Sequence, residues 1–535
     1  MDAEIQFLDP FVTPERWPFF RTVLRACLAF ALARLALRMW SARPLEKSSV
    51  PSTPAAPLSL LRWLFAVSFA AVLVHQSTWS LTGHLRPRFV EFMQRYDRRQ
   101  FNPAHAIRRG AILDRRGAPI ATSPKDGGTR RREYPLGPAG AHVVGYADLR
   151  FGLSGLEEAL NSRLTRSVIE DKEDLASLGN QIFRGDVPDL GEDLRVTIDA
   201  RLQLLLYEKL ADQRGAAVVL DPRDGSILAM VSTPSFDPNQ LDAGLFDSKG
   251  KDSPLLNRAL RGLYPPASTW KVALAAYALD NGRTPSFVCP AEGYRADEST
   301  SLIRDHEYYS AQLAGRNWAG HGTLGLDEAL IHSSNTYFAQ LGVALGADAT
   351  ESVVDTYLLR SSIHVTHPRR PSLATESMRS WNLEADALGS IAQSAIGQGP
   401  LLATPLHMVT LIAAVANDGV AMRPRLLADA PSAELRRMMS ESTARRLREI
   451  LRRVVTEGTG RGLLAPPLRA AGKTGSAENP HGKAHSWFIG FEPHDAPEIA
   501  LAIVVENAGF GSQVAAPMAK EVLLYLKSVN KPGAP

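Results

Sequence analysis

The chain has 535 residues and an apolar fraction of 45%, enough for a sizeable core and more than one domain. Its net charge is only +4, too mild for a nucleic-acid-binding protein, and no basic stripe interleaved with aromatics appears. Two cysteines, Cys27 and Cys289, exclude a disulfide-built scaffold and a cysteine-rich zinc site. Cys27 lies in an N-terminal apolar segment, so no disulfide is expected.

Phe19 to Trp40 is apolar but carries Arg21, Arg25, Arg34 and Arg38. Each arginine near a bilayer centre costs about 2.5–3.5 kcal/mol, so an interfacial or partner-binding helix is favoured over a membrane span. Ser48 to Pro57 reads as a flexible linker. Trp63 to Val74 is an unbroken apolar run that continues more weakly to Leu81, with Trp63 and Trp79 as interface anchors. A spanning helix needs roughly 20 mostly apolar residues. No small-residue cleavage signal follows cleanly. The expectation is an uncleaved single-pass anchor over 58–83, with 1–57 as a cytoplasmic or interfacial segment. Basic residues before Trp63 favour an inside N-terminus, although Arg86, Arg88, Arg95, Arg98 and Arg99 weaken the contrast.

Residues 84–193 form a separate Arg- and Gly-rich region. Ala111 to Leu113 alternates before the turn Asp114-Arg115-Arg116-Gly117, and Gly155-Leu156-Glu157-Glu158 opens a helical pattern. Neighbouring side chains on a helix diverge by about 100°. The two glutamates therefore read as a solvated helix start rather than an acid/base pair.

From 194 the pattern changes. Leu194 to Ile198 reads as a strand and Arg201 to Leu210 as a helix. Ala216 to Leu220 and Ile227 to Val231 are apolar strands flanking the turn Asp221-Pro222-Arg223-Asp224-Gly225. A largely helical middle follows. The end reads as strands around Lys473, over Ser486 to Phe491 and over Ile499 to Val505, then a helix over Pro517 to Ser528. Strands at both ends with helices between predict an α+β domain over 194–535. Its single antiparallel sheet would be assembled from both chain ends, with helices on both sides.

Three short motifs carry chemistry. In Ser268-Thr269-Trp270-Lys271, the pair Pro265-Pro266 precedes and a helical pattern from Val272 to Leu279 follows. Residues three apart share a helix face, so the Lys271 amine is expected to reach the Ser268 oxygen and take its proton. A helix N-terminus would stabilise an oxyanion there. Ser248 to Lys251 and Ser528 to Lys531 match the same spacing but have no such setting. In Ser333-Ser334-Asn335, a hydroxyl can relay a proton and an amide can hold a peptide backbone. In Lys473-Thr474-Gly475-Ser476, glycine lets a substrate approach a strand, while lysine and two hydroxyls can bind a carboxylate. A P-loop reading of Gly472-Lys473-Thr474 fails, because position 467 is Pro.

This ordered set is the signature of penicillin-binding proteins and class A β-lactamases. The chain resembles the class B penicillin-binding proteins over about residues 194–530. Further likeness lies in Gly215 to Pro222, Asn257-Arg258-Ala259, Tyr264 to Ala267, Gly397-Gln398-Gly399 with Thr404-Pro405, Gly458-Thr459-Gly460 and Trp487 to Gly490. Arg109 to Ile112, Asp114 to Gly117 and Gly155 to Glu157 resemble that class's pedestal, here short.

The resemblance implies that Ser268 attacks the penultimate D-Ala carbonyl of a peptidoglycan stem peptide. It implies Lys271 as general base, its pKa lowered by burial near the cation Lys473. It further implies Ser333 as proton relay to the departing D-Ala, Asn335 as holder of the acyl donor, and Lys473, Thr474 and Ser476 as carboxylate ligands. Gly475 lies between those ligands in the same substrate-binding motif. The backbone N–H groups of Ser268 and Ser476 would form the oxyanion hole. β-Lactam antibiotics would acylate Ser268 and leave slowly. No cofactor and no metal are implied. Implied partners are membrane lipid, a polytopic glycan polymerase and other cell-wall synthesis proteins. The implied place is the inner membrane, with the catalytic domain outside the cytoplasm.

Other residues in these segments are expected to have purely structural roles. His321 reads as a satisfied structural histidine, and Trp270 as packing. His332, adjacent to Ser333, diverges from it on a helix. Two rival functions share the motif set. A β-lactamase-like hydrolase needs neither anchor nor pedestal. A penicillin-sensing or scaffold protein would need an output domain or would be expected to lose a motif residue.

Overall fold

The structure is a computed structural model that describes residues 63–69, 109–123, 132–148, 150–165, 191–210, 212–246, 252–298, 300–366, 373–378, 387–461 and 466–529. The chain forms two compact units, 1–100 and 101–535. Of the first, the described part is a short exposed helix over 63–69. Among the described residues no helix is long and apolar enough to cross a membrane. The expected helix at 19–40, the linker at 48–57 and the rest of the expected anchor lie outside the described residues.

The second unit opens with a small sheet. Strand β1 (Ile112–Leu113) pairs antiparallel with β2 (Pro119–Ala121) and parallel with β3 (Leu194–Arg195). The strand expected over 194–198 is therefore shorter, and it joins this sheet rather than the central one. Past Arg195, the Val196 N–H still bonds Leu113, but Val196 bridges to Leu427 and Thr197 N–H bonds Leu426, so the chain leaves the ladder.

The solvated helix start expected at Glu157 is also corrected. Glu157 is fully buried in the helix Gly155–Ala159. Arg109 binds its carboxylate through Nε at 2.9 Å and Nη2 at 2.6 Å, and Arg132 Nε adds a third bond at 2.6 Å. A carboxylate can be buried when cations and hydrogen bonds replace its water in this way.

Helix α1 (Ala200–Leu210) leads into the hairpin of β4 (Gly215–Leu220) and β5 (Ile227–Thr233). The middle contains α2 (Lys271–Asp280), β6 (Phe287–Pro290), α3 (His306–Leu313), β7 (Gly320–Leu324), α4 (Leu326–His332), α5 (Asn335–Leu345), α6 (Leu388–Ala395), α7 (Pro405–Ala416) and α8 (Glu441–Thr456). The end supplies β8 (Ala471–Ala477), β9 (His485–Glu492), β10 (Ile499–Val505) and α9 (Ala515–Val529).

The central sheet has the order β8-β9-β10-β4-β5, antiparallel throughout. The first and last parts of the domain meet where β10 pairs with β4, Ala502 opposite Val218. Side chains alternate between two faces. Val218, Ala502 and Trp487 join the core beneath α7. Val219, Ile503 and Phe488 face α1 and α9, against Leu206, Ala519 and Val522. Both faces are covered, which is why β4 and β10 read as unbroken apolar runs rather than alternating ones.

All twelve residues of α7 are buried, as expected of a helix apolar on every side. Thr404 and His407 form a reciprocal cap at its start, and Pro405 occupies the first turn where its missing N–H is not needed.

Candidate active site

Ser268 sits in a single 3-10 turn, Ala267–Thr269, that runs directly into α2. Ala267 adopts φ +50°, a conformation unfavourable for a residue with a Cβ. Its N–H is held by the Gly397 carbonyl at 2.8 Å. Gly397 itself has φ +77°, and a Cβ there would lie 2.1 Å from the Ala267 carbonyl oxygen. The Gly-Gln-Gly landmark is thus the backstop of the Ser268 turn. From the other side, Trp487 Nε1 donates to the Pro265 carbonyl at 3.0 Å. Strand β8 lies against the same turn, and a Cβ on Gly475 would come 3.0 Å from Thr269 Cγ2.

Behind the serine, Lys271 opens α2 and is fully buried. Its Nζ donates to the Ser333 carbonyl at 2.6 Å and to Asn335 Oδ1 at 2.7 Å. Burial pulls its pKa down to about 7, against the opposing pull of Asp305 and Glu307. Lys473, on β8, is also fully buried. Its Nζ donates to Ser333 Oγ at 2.7 Å and to the Thr474 carbonyl at 3.2 Å. Burial, and then the neighbouring Lys271 charge, hold its pKa well below the ordinary lysine value. Burial is thus the larger cause at both lysines, and their mutual repulsion disfavours carrying both charges at once.

Ser333 ends α4 in the left-handed region, φ +61° and ψ +34°. Ser334 caps α5 by accepting from Tyr337 N–H. Asn335 is fixed at both ends of its amide: Oδ1 accepts from Lys271, and Nδ2 donates to the Arg304 carbonyl at 2.9 Å. On β8, the Thr474 and Thr459 hydroxyls are hydrogen-bonded at 3.0 Å, and Ser476 Oγ accepts from Gly511 N–H at 3.1 Å.

Ser268, Ser333, Asn335, Thr474, Gly475 and Ser476 line one cleft of about 500 Å³. The two lysines are buried behind its wall. Of the eight predicted residues, Lys271, Ser333, Asn335, Lys473 and Thr474 are linked by hydrogen bonds, while Ser268, Gly475 and Ser476 line the same cleft. One expected contact is not made. Among the described residues the Ser268 hydroxyl has no hydrogen bond, and Lys271 is engaged by Ser333 and Asn335 instead. A buried amine takes the acceptors available to it, and catalytic hydrogen bonds commonly tighten only once substrate is bound.

Sequence reasoning missed Asp305. It is 1% exposed. Its carboxylate accepts from Asn335 N–H, from Thr336 N–H at 3.0 Å and from the hydroxyls of Thr336 and Ser334. It thereby fixes the start of α5, where a carboxylate also meets the positive end of the helix. Thirty positions separate it from Asn335, so no local pattern marks it. Arg304, Glu307 and Phe510 also line the cleft.

Trp270 is buried edge-on to Tyr357 and packs. His321 is less satisfied than expected. Its Nε2 lies 3.6 Å from Glu307 and 3.9 Å from Asp305, ion-pair range, with no hydrogen bond. The Glu307 carboxylate raises its pKa. Among the described residues no cluster has the makings of a metal site. Cys289 is buried and unpaired, while Cys27 lies outside the described residues. Of the two decoy motifs, 248–251 lies outside the described residues, and Ser528 bonds the Tyr525 carbonyl within α9.

Comparison with known proteins bears on the family and the fold. The family model for the penicillin binding protein transpeptidase domain matches residues 215–524. The model for the penicillin binding protein A dimerisation domain matches 109–182. The chain is 31% identical over 427 residues to the peptidoglycan D,D-transpeptidase PbpA of Mycobacterium tuberculosis, covering 73% of this chain and 83% of that one. It is 31% identical over 460 residues to the peptidoglycan D,D-transpeptidase MrdA of Acinetobacter baumannii, covering 74% and 66%. Penicillin-binding protein A from M. tuberculosis, solved as a penicillin G acyl-enzyme complex, superposes with a TM-score of 0.68 at 29% identity, covering 79% of this chain and 100% of that one. The D,D-transpeptidase domain of a peptidoglycan glycosyltransferase from Eggerthella lenta gives 0.65 at 31% identity, covering 79% and 99%. On its motifs, its sheet and these relatives together, the chain belongs to the class B penicillin-binding proteins.

Proposed function

We infer that this protein is a peptidoglycan D,D-transpeptidase that cross-links stem peptides through an acyl-enzyme on Ser268. The observation that carries the reading is the meeting of all three motifs at Ser333. Lys271 binds its carbonyl and Lys473 binds its hydroxyl. In this reading Ser268 Oγ attacks the carbonyl carbon of the penultimate D-Ala, and Lys271, neutral near pH 7, accepts the proton. The tetrahedral oxyanion faces the backbone N–H groups of Ser268 and Ser476. As the C–N bond breaks, the terminal D-Ala amine takes a proton through Ser333, which Lys473 orients. The acyl group is then transferred to an amine of a second stem, and Ser268 is regenerated. Thr474 and Ser476, which line the cleft, bind the donor's terminal carboxylate, Lys473 supports them from behind the wall instead of touching it as expected, and Gly475 leaves room for the donor backbone. β-Lactam antibiotics acylate the same serine.

The proposed domain plan is a segment over 1–57, a membrane anchor over 58–83, a pedestal over 84–193 and the catalytic domain over 194–535. The apolar run from Trp63 to Val74 supports a single-pass anchor in the inner membrane. Membrane lipid and a polytopic glycan polymerase are the partners proposed for anchor and pedestal.

A fluorescent penicillin should label the wild type covalently and leave Ser268→Ala unlabelled. Equal labelling of both would remove Ser268 as nucleophile. Slow nitrocefin turnover is expected, and rapid turnover would favour a hydrolase.

A further inference from the structure

We propose that Arg304 is a specificity residue whose guanidinium binds a free carboxylate carried by the acyl-donor stem upstream of its terminal D-Ala–D-Ala. The inference rests on the transpeptidase reading and narrows its substrate to stems that keep such a carboxylate un-amidated.

Arg304 lines the cleft that holds Ser268 and Asn335. Its guanidinium makes no ion pair and no hydrogen bond with any described residue, and its Nε is buried without a partner. Guanidinium stays charged at every ordinary pH, and a half-buried cation normally finds a counter-ion. Two acids lie within three positions of it in sequence, and both are committed elsewhere. Asp305 takes four donors from the start of α5. Glu307 faces His321 at 3.6 Å.

The side chain is nonetheless held in place. Its Cζ lies 4.7 Å from the centroid of the Tyr308 ring, within cation–π range. Its own carbonyl accepts from Asn335 Nδ2 at 2.9 Å. The charge is therefore fixed beside the residue assigned to hold the donor backbone. A planar guanidinium is shaped for two parallel bonds to a carboxylate. The donor's terminal carboxylate is already served by Thr474 and Ser476, so the ligand of Arg304 is a second one.

The test turns over the full-chain protein with two synthetic pentapeptide donors, identical except that every upstream carboxylate is free in one and a carboxamide in the other. Wild type should favour the free acid by about ten-fold in kcat/KM, mostly through KM. Arg304→Gln should bring that ratio near one, and Arg304→Lys should restore part of it. A wild type that handles both donors alike overturns the proposal, whatever the variants do. So does an Arg304→Gln enzyme that keeps the ten-fold ratio. Penicillin labelling of Ser268 separates the two readings: an unlabelled wild type fails the transpeptidase assignment, whereas a labelled one without carboxylate preference fails only the role of Arg304.

Discussion

Lys473 Nζ donates a 2.7 Å hydrogen bond to the hydroxyl of Ser333, 140 positions earlier in the chain. The same serine offers its carbonyl to Lys271. One residue therefore ties the strand edge to the helix that begins just after the nucleophile. The left-handed conformation of Ser333 lets one residue end α4 and still present its hydroxyl to the cleft. Two buried amines sharing one serine have coupled charges, so their protonation belongs to the pair.

Replacing Ser333 by alanine keeps the carbonyl contact and removes the hydroxyl. A positioned proton relay contributes typically about 10²–10⁴-fold, and a loss of that order is expected in penicillin acylation followed by stopped-flow fluorescence. Alanine also pays about 1–2 kcal/mol for the left-handed backbone, which Ser333→Gly avoids. Both variants should lose rate alike. A glycine variant acylating at nearly the wild-type rate would remove the hydroxyl from the proton path.

The pH dependence follows from Lys271. Its pKa, brought to about 7 by burial, means that the amine becomes neutral as pH rises through that value. Acylation by penicillin should climb through about pH 7 and level off above it. The sign for stability is the same. Between about 7 and the ordinary lysine value of about 10.4, the unfolded chain binds a proton that the folded one does not, so stability rises with pH across that window. An acylation rate that stays flat from about pH 5 to about 9 would rule out a titrating base here.

Gly397 supports the serine turn by having no side chain. An alanine there would meet the Ala267 carbonyl at 2.1 Å in addition to its positive φ. Gly282 has a similar φ of +63° but open space around its Cβ position. Gly282→Ala should cost about 1 kcal/mol in urea unfolding, and Gly397→Ala about 1–3 kcal/mol more. Only the second should also slow penicillin labelling. Equal effects would mean that backbone conformation, not contact with the serine turn, sets the requirement.

The sequence displayed the sheet and the three motifs because both are local patterns. β4, β10 and the Ser268 motif each occupy a few consecutive residues, and periodicity or spacing marks them. Glu157 differs from its local pattern for the opposite reason. Its neighbour and helix position suggested solvent, while Arg109 and Arg132, which bury it, lie 48 and 25 positions away. The expected Lys271–Ser268 contact failed similarly. Helical spacing brings two residues to one face, but the acceptors that hold the amine come from the segment around Ser333 and Asn335.

Asp305 is the residue on which the Ser-x-Asn segment is built. One carboxylate oxygen accepts the N–H groups of Asn335 and Thr336, and the other accepts the hydroxyls of Ser334 and Thr336. Asp305→Ala leaves these buried donors without a partner and should destabilise the fold by about 2–4 kcal/mol. It should also slow acylation, because Asn335 loses the anchor of its backbone. Asp305→Asn is predicted to be milder. An amide oxygen can still take the two backbone N–H groups, while the two hydroxyls can turn to accept from the amide nitrogen. About half the alanine loss is expected, read from urea unfolding midpoints at unchanged slope. Equal losses for the two variants would mean that the negative charge, rather than the hydrogen-bond geometry, secures the helix start.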